Sequence, residues 1–143
     1  MNDVAHAPLH EVVAGILHRD ERVLLCHRRA TRRWYPDFWD LPGGHLHGGE
    51  EPVEALRREL DEELAISIVR PPRRHHLELD GDDFRLRAWI IEDWVGEPVN
   101  RAPEEHDAIA WFSLADTRTL PLAHPGYLAI LERALVADPA RGG

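Results

Sequence analysis

The sequence predicts an α/β fold in which a mixed sheet lies between helices. Strand-like segments come first, one strong helical period follows them, and further strands lead to a helical period near the end of the chain. A fully parallel, doubly wound sheet would need more crossover helices than this chain supplies.

The elements follow in order. His10 to His18 (HEVVAGILH) reads as a strand and Arg22 to Arg29 (RVLLCHRR) as its partner, with Arg19-Asp20-Glu21 as the turn of a hairpin. The irregular ATRRWYPDF leads to a short strand, Trp39 to Leu41, and then to the glycine-rich PGGHLHGGE. A helix is predicted from about Glu51 to Leu64, with Pro52 in its first turn and Glu50, Glu51 and Glu54 near the positive end of its dipole. Ile66–Val69, His75–Leu79 and Phe84–Trp94 are predicted as strands, separated by turns at Pro71-Pro72 and Gly81-Asp82. Ala108–Phe112 is another short strand, and Pro125–Val136 has the apolar spacing of a closing helix. Residues 1–8 and 138–143 read as loose ends, so residues 1–143 form one domain with an ordered core of about 9–137.

Bulk properties exclude several classes. The formal charge of −9 argues against a nucleic acid partner, which needs a basic face, but not against a phosphorylated small molecule bound through a divalent metal. No apolar run is long enough for a membrane span, and the first residues have neither the basic start nor the apolar stretch of a secretory leader. Cys26 is the one cysteine, so no internal disulfide can form, and its expected role is a small buried residue in a strand. Together these features point to a cytoplasmic protein, monomeric or homodimeric.

The central helix carries the candidate chemistry. At about 100° per residue, Glu62 and Glu63 fall within roughly 60° of Glu59, while Val53, Leu56, Leu60 and Leu64 form an adjoining apolar stripe. Three carboxylates beside a buried stripe repel one another unless a hard divalent cation neutralises them. Taken alone, the helix is better explained as a solvated charged face on which Arg57 and Arg58 supply ion pairs.

The surrounding residues shift that balance. The stretch GGHLHGGEEPVEALRRELDEELAI, Gly43 to Ile66, resembles the Nudix box, with its positions at Gly44, Glu50, Arg58, Glu59, Leu60, Glu62, Glu63 and Ile66. The resemblance implies an α/β/α sandwich and Mg²⁺-dependent hydrolysis of a nucleoside diphosphate linkage, with Mn²⁺ as a possible substitute. It implies that the Gly43 carbonyl and the carboxylates of Glu62 and Glu63 bind metal. Glu59 would be the general base or a further metal ligand, Arg58 would orient it, and Glu50 would brace the loop. Glycines 43, 44, 48 and 49 suit tight turns and close approach to a metal or phosphate. Ala65 stands where the family pattern has a glycine, at a helix end often found at positive φ.

Beyond the box, HRRAT at 27–31, WVGEP at 94–98 and EHDAIAWFSL at 105–114 resemble segments of MutT-type nucleoside triphosphate pyrophosphohydrolases in the same order. That likeness implies a further catalytic and metal-site glutamate at Glu105, with Glu104 as its alternative. It implies a phosphate-contacting arginine at Arg29 or Arg28, with Gly44 lining the substrate site. His124 falls near an asparagine that reads oxidised guanine in MutT enzymes, although an imidazole cannot offer an amide's paired donor and acceptor. An 8-oxo-dGTP-like triphosphate, cut to NMP and pyrophosphate, is the leading expectation. A nucleoside diphosphate sugar or ADP-ribose hydrolase, or a non-catalytic nucleotide sensor, are the alternatives. His45 and His47 are expected to line the glycine loop, and Trp34, Tyr35 and Trp39 to pack into the core or stack on a base.

Overall fold

The computed structural model describes residues 10–69 and 77–136. Its first half contains β1 (His10–Arg19), β2 (Arg22–Arg28), β3 (Trp39–Asp40), β4 (Gly43–His45) and α1 (Pro52–Leu64). The second half contains β5 (Ser67–Ile68), β6 (Leu77–Asp80), β7 (Phe84–Ile91), β8 (Trp94–Val95), β9 (His106–Ser113), α2 (Leu114–Thr117) and α3 (Tyr127–Val136). Among the described residues, no helix is long and apolar enough to cross a membrane.

The sheet is mixed, as expected. β1 runs parallel to β7 from His10↔Phe84 to Leu17↔Ile91, and antiparallel to β4 through Val12↔His45 to Ala14↔Gly43. The hairpin closes at His18↔Val23 and Arg19↔Arg22, with Asp20 and Glu21 both at positive φ. β2 then pairs antiparallel with β3 and along its length with β9.

Alternation along β1 and β2 builds the sandwich. Val13, Leu17, Leu24 and Cys26 face α1, where they pack with Leu56, Leu60 and Leu64. Ala14, Ile16, Val23 and Leu25 face α3 and pack with Ile130, Leu131 and Ala134. Each of the three α1 leucines is fully buried and stabilises the fold by about 1.5–3 kcal/mol, which fixes how the helix presents its glutamates.

Four expectations change in detail. The glycine-rich stretch contributes β4 rather than only a loop, since strand pairing with β1 suits its extended backbone. The strand expected over Phe84–Trp94 divides at Glu92-Asp93; β7 ends at Ile91 and β8 pairs with β5. β9 begins at His106, earlier than Ala108, and the short α2 follows it. Trp34 and Tyr35 are exposed, Trp34 by 64%, while Trp39 packs edge-on against His27 and Phe112. Leu77–Asp80 forms as β6; His75, His76, the Pro71-Pro72 turn and both chain ends lie outside the described residues.

Candidate active site

Arg58 organises the N-terminal side of the site. Its Nε and a terminal nitrogen donate to the two oxygens of Glu50 at 2.8 and 3.1 Å, the paired geometry that suits a guanidinium. Another nitrogen donates to Glu59 at 2.8 Å and to Glu62 at 3.3 Å, and a further bond reaches the carbonyl of His45. The Arg58 guanidinium, helped by the His47 backbone N–H, holds the Glu50 carboxyl down at about 2. Glu50 therefore braces the loop, and Arg58 ties loop, Glu59 and Glu62 into one unit.

Two glycines let α1 approach β4. At Gly44 an added Cβ would lie 2.5 Å from the Glu59 carboxyl carbon, so any side chain there would displace that carboxylate. At Gly43 a Cβ would strike the backbone of Val13 and Ala14. Gly43 N–H instead donates to Glu63 Oε2 at 3.2 Å. The close approach is thus between protein groups, while Gly48 and Gly49 have open space and Gly49 needs its φ of 80°.

Glu63 is only 4% exposed. Burial chiefly, then hydrogen bonding to and repulsion from Glu59, and repulsion from Glu105 and Asp40, push its carboxyl well above the usual range. Among the described residues its one ion-pairing neighbour is His106, at 3.6 Å. Glu59 is partly buried and Glu62 exposed.

The end of α1 is tied to the segment that carries Glu105. Val99 N–H and Arg101 N–H donate to the carbonyls of Leu64 and Glu63, satisfying groups that a helix end leaves open. Asn100 then clips the following turn, its Oδ1 accepting from Ala102 N and its Nδ2 donating to the His106 carbonyl at 2.7 Å. Glu105, partly exposed, projects from this turn and pairs with Arg32 at 3.6 Å. The charge of Glu105 acts on Glu63 and Cys26, and that of Glu104 acts on His106, so both glutamates bear on the cluster.

A β-bulge re-aims the start of β9. Cys26 and His27 oppose Ile109 and Ala108, but Arg28 opposes His106, leaving Asp107 as the extra residue. Strict alternation would turn His106 away from the face shared by Cys26 and Ile109; the bulge returns it to that face. Asp107 instead bonds His27 Nδ1 at 2.6 Å. His106, also 4% exposed, stays neutral because burial and the nearby Arg32 and Arg28 lower its pKa to about 4.

Arg28 and Arg29 lie near the cluster but differ in occupation. Arg28 donates to the Trp34 carbonyl at 2.8 Å and to Asp40 at 3.2 Å, and Asp40 also accepts from Tyr127 and Leu41 N–H, each at 2.8 Å. Among the described residues the Arg29 guanidinium makes one bond, to the Pro103 carbonyl, while its backbone N–H donates to the Glu105 carbonyl. The His124 ring lies beside Phe84 and Tyr127, and its Nδ1 accepts from Gly126 N–H just before α3. Ala65 ends α1 at φ 59°, ψ 37°, the left-handed conformation its position suggested. The residues that sequence reasoning did not select are Arg32, Asn100 and His106. Only His106, next to Glu105, stood beside a selected residue.

The family model described as "NUDIX domain" matches residues 8–134, nearly the whole described fold. The chain belongs to the Nudix family. Among its Nudix relatives, the CTP pyrophosphohydrolase of Escherichia coli K12 is 34% identical over 92% of this chain and 95% of its own length. The 8-oxo-dGTP diphosphatase of the same organism is 28% identical over 86% and 96%. The crystal structure of a MutT Nudix hydrolase from Burkholderia pseudomallei superposes with a TM-score of 0.77, at 28% identity, over 91% of this chain and all of that one. The solution structure of the E. coli ORF135 protein matches with a TM-score of 0.74 at 31% identity, over 94% of each chain. The fold is the Nudix α/β/α sandwich with a mixed central sheet.

Proposed function

We propose that this Nudix hydrolase cleaves a nucleoside triphosphate to the monophosphate and pyrophosphate, using Mg²⁺ or, in its place, Mn²⁺. The observation that carries this reading is the carboxylate cluster of Glu59, Glu62, Glu63 and Glu105, whose buried member has no guanidinium partner among the described residues. Its donors are hard oxygens, which fit Mg²⁺. Glu62, Glu63 and the Gly43 carbonyl would hold the ion, with Glu59 and Glu105 completing the set. When bound, it neutralises phosphate charge and makes water a better nucleophile.

The chain's own residues supply the rest. Glu59 is the general base, and Arg58 orients it by binding Oε2. Glu50 in turn fixes Arg58, so the base rests on a supported framework. Arg29, with its single carbonyl bond, can swing to a phosphate; Arg28 would first have to leave Asp40. The relatives' names carry two bases, cytosine and oxidised guanine. His124 already commits Nδ1 to Gly126, so it offers no paired donor and acceptor, which weighs against oxidised guanine.

The test is a panel of CTP, the other canonical triphosphates, 8-oxo-dGTP, nucleotide sugars, ADP-ribose and dinucleoside polyphosphates with Mg²⁺, read by product analysis. NMP and pyrophosphate from a triphosphate are expected, with Glu59→Gln and Glu62→Gln nearly inactive. Full activity in both variants, or nucleotide binding without turnover across the panel, would overturn the reading; the latter would mark a sensor.

A further inference from the structure

The inner wall of the carboxylate cluster has a different chemistry from its mouth. Cys26 of β2, Glu63 of α1 and His106 of β9 each offer one ligand atom, and these atoms all lie within 4.8 Å of one another. All three side chains are buried. The Asp107 bulge is what brings the imidazole to the Cys26 face.

His106 is not satisfied where it stands. Its Nε2 is 3.6 Å from Glu63 Oε1, beyond hydrogen-bonding reach, and its Nδ1 is buried with no hydrogen-bond partner among the described residues. A buried polar group left in that condition destabilises the fold, so the arrangement needs a reason. Packing alone would favour an apolar residue at 106.

We propose that Cys26, His106 and Glu63 form a thiophilic metal site that takes Zn²⁺ and shares Glu63 with the Mg²⁺ site. Sulfur, imidazole nitrogen and carboxylate oxygen are the donors of three-ligand zinc sites, which leave a fourth position for water. Mg²⁺ accepts oxygen donors and has no use for the thiol or the imidazole. Tetrahedral zinc bonds would set the ligand atoms roughly 3.5 Å apart, so side-chain rotation of about an ångström closes the group. On binding, the Cys26 thiol releases its proton to solvent and the thiolate donates an electron pair to the ion; no oxidation is involved. Because Glu63 cannot serve both ions fully, Zn²⁺ opposes Mg²⁺-dependent hydrolysis. That last consequence rests on the proposed function, whereas the binding itself does not.

Cobalt(II) reports on the site directly as a spectroscopic substitute for Zn²⁺. Added to the full chain in excess Mg²⁺, it should give a thiolate-to-cobalt charge-transfer band in the near ultraviolet, one ion per chain, which Zn²⁺ abolishes. Cys26→Ser should lose the band while keeping the wild-type far-ultraviolet circular dichroism. His106→Gln should weaken binding by at least about tenfold. No band in the wild type, or an equal band in Cys26→Ser, would overturn the site. Zn²⁺ should also inhibit the wild type in excess Mg²⁺ and spare Cys26→Ser relative to it; a band without inhibition would overturn the sharing of Glu63. Absence of any Mg²⁺-dependent turnover would count against the proposed hydrolysis and leave the spectroscopic result standing.

Discussion

Asp40 and Glu63 are two enclosed acidic groups near one another, and they are treated in opposite ways. Asp40 accepts from Arg28, the Tyr127 hydroxyl and the Leu41 backbone, so its charge and most of its lone pairs have partners. Glu63 accepts from Gly43 N–H and otherwise faces His106, Glu59 and the charge of Glu105. One acid is wired into the fold by a cation of the protein; the other has no guanidinium partner among the described residues, and the proposed function gives it a cation from outside. Burial of a carboxylate therefore does not by itself mark function, and its partners decide the reading.

This contrast can be tested from both sides. The largest effect is expected for Glu63→Gln, which should lower kcat/KM by roughly a thousandfold and raise the metal-free melting temperature by relieving its repulsion with Glu59. Activity retained within tenfold, or a lower melting temperature, would equate the two acids. Asp40→Ala should instead destabilise the chain by about 3 kcal/mol, because it leaves the Arg28 guanidinium without its carboxylate and the Tyr127 hydroxyl without its acceptor. The double variant Asp40→Leu, Arg28→Met should recover much of that loss in denaturant titrations, as expected of a structural ion pair.

A smaller effect concerns pH. The folded pKa of Glu50 is about 2, below its ordinary 4.5, so the Arg58–Glu50 pair adds stability above pH 4.5 and loses it as pH falls through about 2. Glu50→Gln should thus be less stable than the wild type near neutrality, and the gap should close across that acid range. A gap constant with pH would show that Arg58 gains nothing from the charge. The smallest change is Ala65→Gly, which should stabilise by about 1 kcal/mol by relieving a left-handed alanine at the end of α1, read as a shift in denaturant midpoint.

The helix and its glutamates were legible because spacing and type act locally. Pro52, the apolar stripe and the Glu-Arg-Glu pattern need no knowledge of distant residues, and the left-handed Ala65 was expected because the Nudix box has a glycine there. The hairpin and closing helix were legible for the same reason. His106 was hidden because a strand read by strict alternation points it the wrong way, and only pairing with Arg28 reveals the bulge. The internal engagement of Arg28 was hidden too, since Asp40 and Trp34 reach it from a loop whose path carries no periodic signal. β4 was concealed by glycines that ordinarily weaken a strand and here permit close packing against β1 and Glu59.

The pairing of β1 with β7 and of β2 with β9 has a consequence for the order of assembly. Both ladders join strands from opposite halves of the chain, so large loops must close before they form. The cluster at Glu63 draws on β2, α1 and the start of β9, and so cannot exist while those ladders are open. The proposed metal capture would then be a late event in folding, locking a chain that has already found its topology, and a refolding experiment should see tight metal binding appear only with the slowest structural phase.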